Sequence, residues 1–268
     1  MQQLIDSWQG GDLYEQFMGR WSKVIAQVFL QWLPVSEDKR WLDVGCGTGA
    51  LSRLVLGKKQ AKEVLAIDAS PEFIAFARKI DRDPRLHFGV ALAQSVPAQS
   101  QYFDAVVSGL VLNFVPRPEQ AVAERVRVTK PGGIVTAYVW DYAEGMQMLR
   151  YFWDAAVALD ASAGELDEGV RFPFSHEDRL KALFVDSGLE AVTSRAVEAP
   201  TIFSSFEDYW RPFFSGVGPA PGYLVKLNGR QQTALRERLE LSLPRSESGA
   251  ISLMARAWAV RGMVTRDS

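Results

Sequence analysis

Short apolar runs alternate with amphipathic segments along the first half of the chain. The apolar runs are typical of buried strands and lie at 40–44, 63–68, 85–90, 103–108 and 134–140. Apolar residues at helical spacing predict helices at 14–33, at 49–57, directly after Ser70, and at 117–129. This alternation predicts an α/β fold, a doubly wound parallel sheet with helices on both faces.

Particular residues indicate where these helices begin and end. Ser70 is suited to be an N-cap, and Pro71 to occupy the first helical position. Pro34 ends the first helix because it cannot continue the hydrogen-bond ladder. We expect Gly57 to close the second helix, and the KPGG stretch at 130–133 to end the helix before the fifth strand.

The pattern changes after residue 140. It predicts two helices and then two strands, at 144–163, 176–187, 189–198 and 250–260. Gly188 fits a helix C-terminal stop. Residues 199–249 are too many for a structureless connection inside a compact domain. We therefore predict a partly helical cap inserted between the last two strands.

Composition narrows the class of protein. The 268 residues are 47% hydrophobic and 23% charged, which suits a globular protein with a sizeable core. A net charge of −2 leaves no domain-wide basic field, so we expect no nucleic-acid partner. The single cysteine, Cys46, excludes a disulfide or cysteine-cluster metal site, and we expect no metal. Without a leader pattern or membrane-length apolar stretch, we expect a cytoplasmic protein with no membrane insertion.

Three alternating glycines, Gly45, Gly47 and Gly49, lie between the first strand and the following helix. Glycine there permits positive φ and lets a ligand approach the main chain. The following helix offers free N–H groups at its N-terminus. Ligands of open α/β sheets bind beyond the carboxyl ends of the strands. The triplet therefore predicts a binding loop rather than a tight turn without a ligand.

Two classes of cofactor fit this loop. The spacing Gly45-x-Gly47-x-x-Ala50, with Asp68 ending the second strand, satisfies a dinucleotide pattern. Asp43 lies two residues before the first glycine, where a carboxylate would repel a pyrophosphate. It is placed to orient the loop or to meet an ammonium group. The negative charge of Asp43 favours a cationic, phosphate-free nucleoside as the ligand. A nicotinamide cofactor is the alternative.

Four stretches of this sequence resemble, in order and spacing, the motifs of class I S-adenosylmethionine-dependent methyltransferases. They are LDVGCGTG (42–49), VLAIDAS (64–70), VP (96–97) followed by FDAVV (103–107), and RVTKPGG (127–133). The likeness is to the small-molecule group that includes the ubiquinone-biosynthesis methyltransferases. It implies a Rossmann-like seven-stranded sheet, mostly parallel with the last strand antiparallel, and S-adenosyl-L-methionine as cofactor.

The element pattern and the resemblance together predict how the chain is organised. The parts are an N-terminal helical lid, a Rossmann-like core, an inserted substrate-covering cap and a final core strand, at 1–38, 39–198, 199–249 and 250–268. In the lid, Arg20 would pair with the methionine carboxylate and Tyr14 would close over the cofactor. The alternative is a surface arginine and a packed tyrosine.

In the core, the resemblance implies roles for the loop residues. Gly45, Gly47 and Gly49 would pass under the methionine part of the cofactor, and Asp43 would meet its amino end. Asp68 would accept both ribose hydroxyls through its two oxygens.

Other positions would surround the adenine. Ala69 and Ser70 would flank it. Many relatives carry an acidic residue for the adenine amino group where this chain has Leu92, so Ala93 and Gln94 would meet that polar edge. Leu92 is equally well interpreted as a core residue.

The catalytic group is left open by the sequence. Gly109 and Leu110 would line the methionine channel, and Asn113, Asp141 and Tyr142 are candidates for the reactive end. Positioning the acceptor supplies the main effect, since the methyl is already activated, and an oxygen or nitrogen acceptor needs a base. The two histidines are interpreted otherwise, His87 as a structural strand residue and His176 as a capping or surface residue. We interpret Cys46 as a small packing residue.

The cap is rich in aromatic residues. They are Phe203, Phe206, Tyr209, Trp210, Phe213 and Phe214. Such rings suit an apolar or planar small-molecule methyl acceptor, but for most of them we favour packing that attaches the cap to the sheet. We expect a monomer or a homodimer. A cofactor-binding regulator without turnover and a nicotinamide oxidoreductase are the alternative functions.

Overall fold

Seven strands and the helices between them follow the chain in the predicted order. The structure, a computed structural model, describes residues 18–216 and 218–265. The strands are β1 (Arg40–Val44), β2 (Glu63–Asp68), β3 (Leu86–Val90), β4 (Phe103–Gly109), β5 (Thr129–Trp140), β6 (Glu190–Phe203) and β7 (Ile251–Met263).

Helices connect these strands. They are α1 (Arg20–Trp32), α2 (Ala50–Lys58), α3 (Pro71–Ile80), α4 (Pro118–Val128), α5 (Gln147–Leu159), α6 (Glu168–Arg171), α7 (Glu177–Asp186), α8 (Phe206–Trp210), α9 (Pro219–Leu224) and α10 (Gly229–Ser242). Short 3-10 helices lie at Leu112–Phe114, Ala161–Leu166, Pro173–Ser175 and Arg211–Ser215. Among the described residues, no helix is long and apolar enough to cross a membrane.

The strands form one seven-stranded sheet in the order β3-β2-β1-β4-β5-β7-β6. The four pairs from β3 to β5 are parallel. Strand β7 runs antiparallel to β5, because Gly132 N–H donates to Val264 O at 2.8 Å and Val264 N–H donates to Gly133 O at 3.0 Å. The predicted sheet is thus confirmed. The strand order reverses between β1 and β4, where ligands of doubly wound folds bind.

Strand β1 occupies the middle of this sheet. Trp41, Leu42 and Val44 are fully buried, as expected for a central parallel strand with both faces covered. Asp43 interrupts the apolar run and is fully buried as well. A charged residue in that position requires partners, because an isolated ionised carboxylate is costly to remove from water.

The described residues fall into two compact units. The sheet unit contains Lys23–Val139, His176–Val197 and 257–265, and the cap unit contains 18–22, Trp140–Ser175 and Glu198–Arg256. Aromatic rings fill the cap unit, where Phe152 stacks on Phe213 with ring centroids 4.5 Å apart. The predicted domain boundaries stay predictions, and by their contacts residues Trp140–Ser175 group with the cap.

Three predicted boundaries are wrong. Helix α2 continues through Gly57 to Lys58, with Lys59 as its C-cap. Strand β5 begins at Thr129, because the KPGG stretch bulges where Phe103 pairs with Thr129 but Ala105 pairs with Ile134. Strand β6 extends to Phe203, beyond the strand end predicted at 198.

Candidate functional site

The three loop glycines are needed for different reasons. Gly45, Gly47 and Gly49 have φ values of 76°, 54° and 82°, in the left-handed region. A Cβ on Gly45 would lie 2.5 Å from the Val111 side chain, and one on Gly49 would lie 2.9 Å from the Phe88 ring. A Cβ on Gly47 would meet nothing within 4 Å. The space beside Gly47 is therefore where a ligand can approach the loop backbone.

Asp68 is the carboxylate that holds this loop. At the end of β2, its Oδ2 accepts the Gly47 N–H at 2.9 Å and its Oδ1 accepts the Ser70 N–H at 2.8 Å. Ser70 caps α3 as predicted, since its Oγ accepts the Phe73 N–H at 3.3 Å. Carboxylate oxygens can each accept more than one hydrogen bond, so these contacts leave Asp68 able to accept ribose hydroxyls. That role stays a prediction.

Asp43 lies beneath the loop rather than beside it. Its Oδ2 accepts the Ser52 hydroxyl of α2 at 2.6 Å. Burial raises its pKa to about 7, with Ser52 opposing that rise and the charge of Asp68 adding to it. These contacts support the role of orienting the loop. Contact with a cofactor ammonium group stays a prediction.

The segment after β3 lies next to Asp68, because Ala91 N–H donates to Asp68 O at 3.0 Å. Leu92 is 58% exposed, so its interpretation as a core residue is wrong. Ala93 packs against the sheet core and Gln94 is half-buried. An exposed Leu92 at the carboxyl end of the sheet is compatible with packing on an adenine ring, and that contact stays a prediction. The roles of Ala69, Ala93 and Gln94 stay predictions as well.

The turn after β4 is strained. A Cβ on Gly109 would lie 2.5 Å from Tyr138 Oη, so this glycine makes room for a neighbouring ring. Leu110 has a φ of 63°, uncommon for a residue with a side chain, and its N–H donates to Tyr138 O at 2.7 Å. Strain of this kind concentrates at functional sites. Asn113 follows in the 3-10 helix at Leu112–Phe114.

Arg20 is held by residues of the cap unit. Its guanidinium carbon lies 4.2 Å from the Trp21 ring centroid and 4.8 Å from that of Phe203. Its Nη1 lies 3.2 Å from Asp208 Oδ1, beside a cleft of about 670 Å³. A cofactor carboxylate would have to compete with Asp208, so the pairing predicted for Arg20 stays untested. Tyr14 lies outside the described residues.

The candidate base Asp141, in the turn after β5, already accepts hydrogen bonds through both carboxylate oxygens. Its Oδ2 accepts the Arg256 Nε–H at 2.6 Å, and its Oδ1 accepts the Glu144 N–H at 2.9 Å. These bonds support a structural role, and proton transfer by Asp141 stays a prediction. Tyr142 is buried, with its ring centroid 5.4 Å from that of Phe172.

The interpretations of the histidines and the cysteine agree with the structure. His87 lies in β3, 54% exposed and 4.0 Å from Glu63 Oε1. His176 is the N-cap residue of α7 and is exposed. Cys46 is buried, and that burial raises the pKa of its thiol, so it packs as a small apolar residue.

Packing also explains most of the aromatic residues of the cap. Five of the six rings singled out from the sequence are buried, and they contact one another. Phe214 is the exception, at 49% exposure. These contacts support packing rather than ligand contact for the buried five, and their role in attaching the cap to the sheet stays a prediction.

Three further charged residues of the described chain, Arg125, Asp167 and Glu168, are buried and were not predicted from the sequence. Glu168 of the cap accepts a hydrogen bond from Trp153 Nε1, and burial raises its pKa to about 7. Arg125 of α4 is fully buried in the sheet unit. One signal was available for Arg125: Val122, Arg125 and Val128 share the helical spacing of the buried face of α4.

Comparison with known proteins identifies the domain around the glycine loop. Residues 42–137 match the family model described as a methyltransferase domain. The chain is 32% identical over 130 residues to a malonyl-acyl-carrier-protein O-methyltransferase of Enterobacter lignolyticus, covering 48% of this chain and 50% of that one. It is 28% identical over 165 residues to a trans-aconitate 2-methyltransferase of Variovorax paradoxus, covering 61% and 58%. The chain thus spans about half the length of these curated relatives.

A solved structure of low identity has the same fold. It is a Haemonchus contortus phosphoethanolamine N-methyltransferase 2 in complex with phosphomonomethylethanolamine and S-adenosylhomocysteine. The TM-score is 0.60 at 16% identity, covering 96% of this chain and 57% of that one. At that identity the likeness concerns the fold alone.

Proposed function

We propose that this chain is a class I S-adenosylmethionine-dependent methyltransferase that transfers a methyl group from that cofactor to a small-molecule acceptor, and the match of residues 42–137 to a methyltransferase domain supports this. One observation carries the proposal. Open space lies beside the backbone of Gly47, whose N–H is held by the Asp68 carboxylate at the carboxyl end of β2. A ligand there would lie next to the loop backbone and the Asp68 carboxylate.

The charges at this loop suit the cofactor. Asp43 and Asp68 bring two carboxyl groups to the loop, one beneath it and one at its edge. They would favour a ligand that carries a sulfonium and an ammonium group over one that carries a pyrophosphate. The bound cofactor would supply an activated methyl, and the chain would hold the acceptor in line with it.

The acceptor class is proposed from the relatives. Malonyl and trans-aconitate, the acceptor groups in the two relatives' names, both carry carboxylates. We therefore begin the search with small carboxylic acids and their thioesters. The glycine loop binds the cofactor and does not determine the acceptor, because proteins of one fold differ in their substrate sites.

Calorimetric titration with S-adenosylhomocysteine tests the proposal. We expect the wild type to bind and Asp68→Ala to lose at least about tenfold in affinity, because a bidentate carboxylate is removed. Glu72→Ala, an exposed change in the first turn of α3, is the matched control and is expected to bind like wild type.

Two results would contradict the proposal. Absence of S-adenosylhomocysteine binding by the wild type would remove the cofactor, and binding of NADH in its place would favour the oxidoreductase alternative. Where the cofactor binds, labelled S-adenosylmethionine is offered with a panel of carboxylic acids, thioesters and amines. Failure to label any acceptor would favour a regulator without turnover.

A further inference from the structure

The sheet unit buries an arginine beneath the glycine loop. Arg125 lies on α4, and its side chain is fully enclosed. Its Nη2 donates to Ser108 Oγ of β4 at 3.2 Å, and the Ser108 hydroxyl donates to Val44 O at 2.8 Å. Val44 directly precedes Gly45, so this chain of hydrogen bonds connects α4 to the start of the loop.

Arg125 and Asp43 are two opposite charges with unused hydrogen-bonding capacity. Nε and Nη1 of Arg125 are buried and have no hydrogen-bond partner among the described residues, and the same holds for Oδ1 of Asp43. A buried charge is costly to leave uncompensated, so each stabilises the other's ionised form. Their electrostatic interaction lowers the pKa of Asp43 and raises that of Arg125.

Burial and three neighbouring groups decide whether Asp43 is ionised. Burial opposes its charge most strongly, and the Ser52 hydroxyl of α2 favours it. Asp68 of β2 opposes it, and Arg125 of α4 favours it. With burial included, the pKa of Asp43 lies at about 7 and that of Arg125 at about 10. Arg125 is therefore charged at neutral pH, where Asp43 is close to its midpoint.

We infer that Arg125 is a positioning residue of the cofactor site, which favours the ionised form of Asp43 beneath the glycine loop and so makes cofactor affinity depend on pH. This inference rests on the proposed function, because the ligand it concerns is S-adenosylmethionine or its demethylated product. An ionised Asp43 favours the ammonium group that S-adenosylmethionine and its demethylated product share, and it is a strong acceptor for the Ser52 hydroxyl. A protonated Asp43 loses the charge attraction and accepts the Ser52 hydrogen bond less well.

Calorimetric titration of S-adenosylhomocysteine binding from about pH 5.5 to about pH 8.5 tests the inference. In the wild type we expect affinity to rise with pH as Asp43 loses its proton. Asp43→Asn supplies the reference profile, since whatever pH dependence it retains belongs to the ligand and to other groups. Arg125→Gln keeps an amide donor toward Ser108 but removes the charge. Its midpoint is expected to move up by about one pH unit or more, and Arg125→Lys is expected to restore it.

The outcomes separate three cases. Affinity lowered equally at every pH in Arg125→Gln, with an unmoved midpoint, would show a merely structural arginine and overturn the inference. No binding by the wild type at any pH would instead remove the proposed function. If Arg125→Gln lacks a cooperative melting transition, the titration of the Asp43 carboxyl is measured by carbon-13 NMR in wild type and in Arg125→Lys. The signal is identified by its absence in Asp43→Asn. The midpoint of the Asp43 titration must then coincide with the midpoint of the affinity profile, and a mismatch would overturn the inference.

Discussion

Contacts with neighbouring residues, and not only a ligand, explain the residue types at several positions of this protein. Gly45 and Gly49 are glycines because Val111 and Phe88 occupy the space that a Cβ would take. Gly47 alone of the three has open space there. Buried charges show the same dependence on surroundings, since Asp43 and Glu168 both have pKa values raised to about 7 by burial.

Glu168 predicts a pH-dependent stability. Its pKa in the folded protein is about 7, above its ordinary value of 4.5. Between about pH 4.5 and pH 7, the native state therefore retains a proton that the unfolded chain has lost. This contribution to stability is fully present below about pH 4.5 and is lost as pH rises through about 7. Glu168→Gln mimics the protonated side chain and avoids that loss.

The free energy of unfolding of Glu168→Gln, minus that of wild type, should therefore increase with pH. We expect an increase of roughly 3 kcal/mol between about pH 4.5 and pH 8. Urea denaturation at a series of pH values measures it. Glu165→Gln, a change at an exposed neighbour, should give a pH-independent difference near zero. A flat difference for Glu168→Gln would mean that the native carboxyl titrates normally.

At the scale of elements, caps and bulges decide where helices and strands end. Ser70 begins α3 through its side chain, with Pro71 behind it. Gly57, although a helix breaker by type, lies inside α2, because a glycine in a helix costs only about 1 kcal/mol and packing can offset that. The bulge at KPGG adds residues to β5 without ending its pairing with β4.

The cap of α3 can be tested directly. Ser70→Ala removes the acceptor for the Phe73 N–H and should lower the free energy of unfolding by about 1 kcal/mol. Ser36→Ala, at an exposed position, is the control and should change it by less than about 0.5 kcal/mol. Denaturant titration of both variants measures the change in the free energy of unfolding. Equal changes in the two variants would mean that the Ser70 cap does not stabilise the protein.

For the whole molecule, the two compact units rely on different kinds of core. The sheet unit buries apolar residues of parallel strands, such as Trp41 and Val106. The cap unit also buries many aromatic rings, among them Phe152, Trp153 and Tyr209, whose hydroxyl donates to Met148 O at 2.9 Å. Offset and edge-on ring pairs add to the stabilisation that burial provides.

Two adjacent phenylalanines test that core. Phe213 is fully buried and stacks on Phe152, whereas Phe214 is 49% exposed. Phe213→Ala is expected to lower the free energy of unfolding by about 3–5 kcal/mol, because it leaves a cavity among the rings. Phe214→Ala should lower it by under about 1 kcal/mol. Chemical denaturation compares them, and similar losses would show that the cap tolerates a missing ring.

The sequence by itself determined the order of elements, the α/β class and the position of the glycine loop. These depend on local properties: apolar periodicity, glycine at a strand–helix junction, and the Ser70-Pro71 start of α3. The family motifs over 40–140 are local as well, which is why their resemblance agrees with the comparisons.

Only the tertiary structure decided which side chains meet. Leu92 proved exposed, Asp141 paired with Arg256, and Arg125 and Asp43 became enclosed together. Each of these facts depends on residues distant in sequence: Asp141 and Arg256, for example, approach each other only because β5 and β7 pair. Long-range contacts, which set pKa values and free space, are properties of the folded chain, and the local pattern of one element does not show which distant residues it meets.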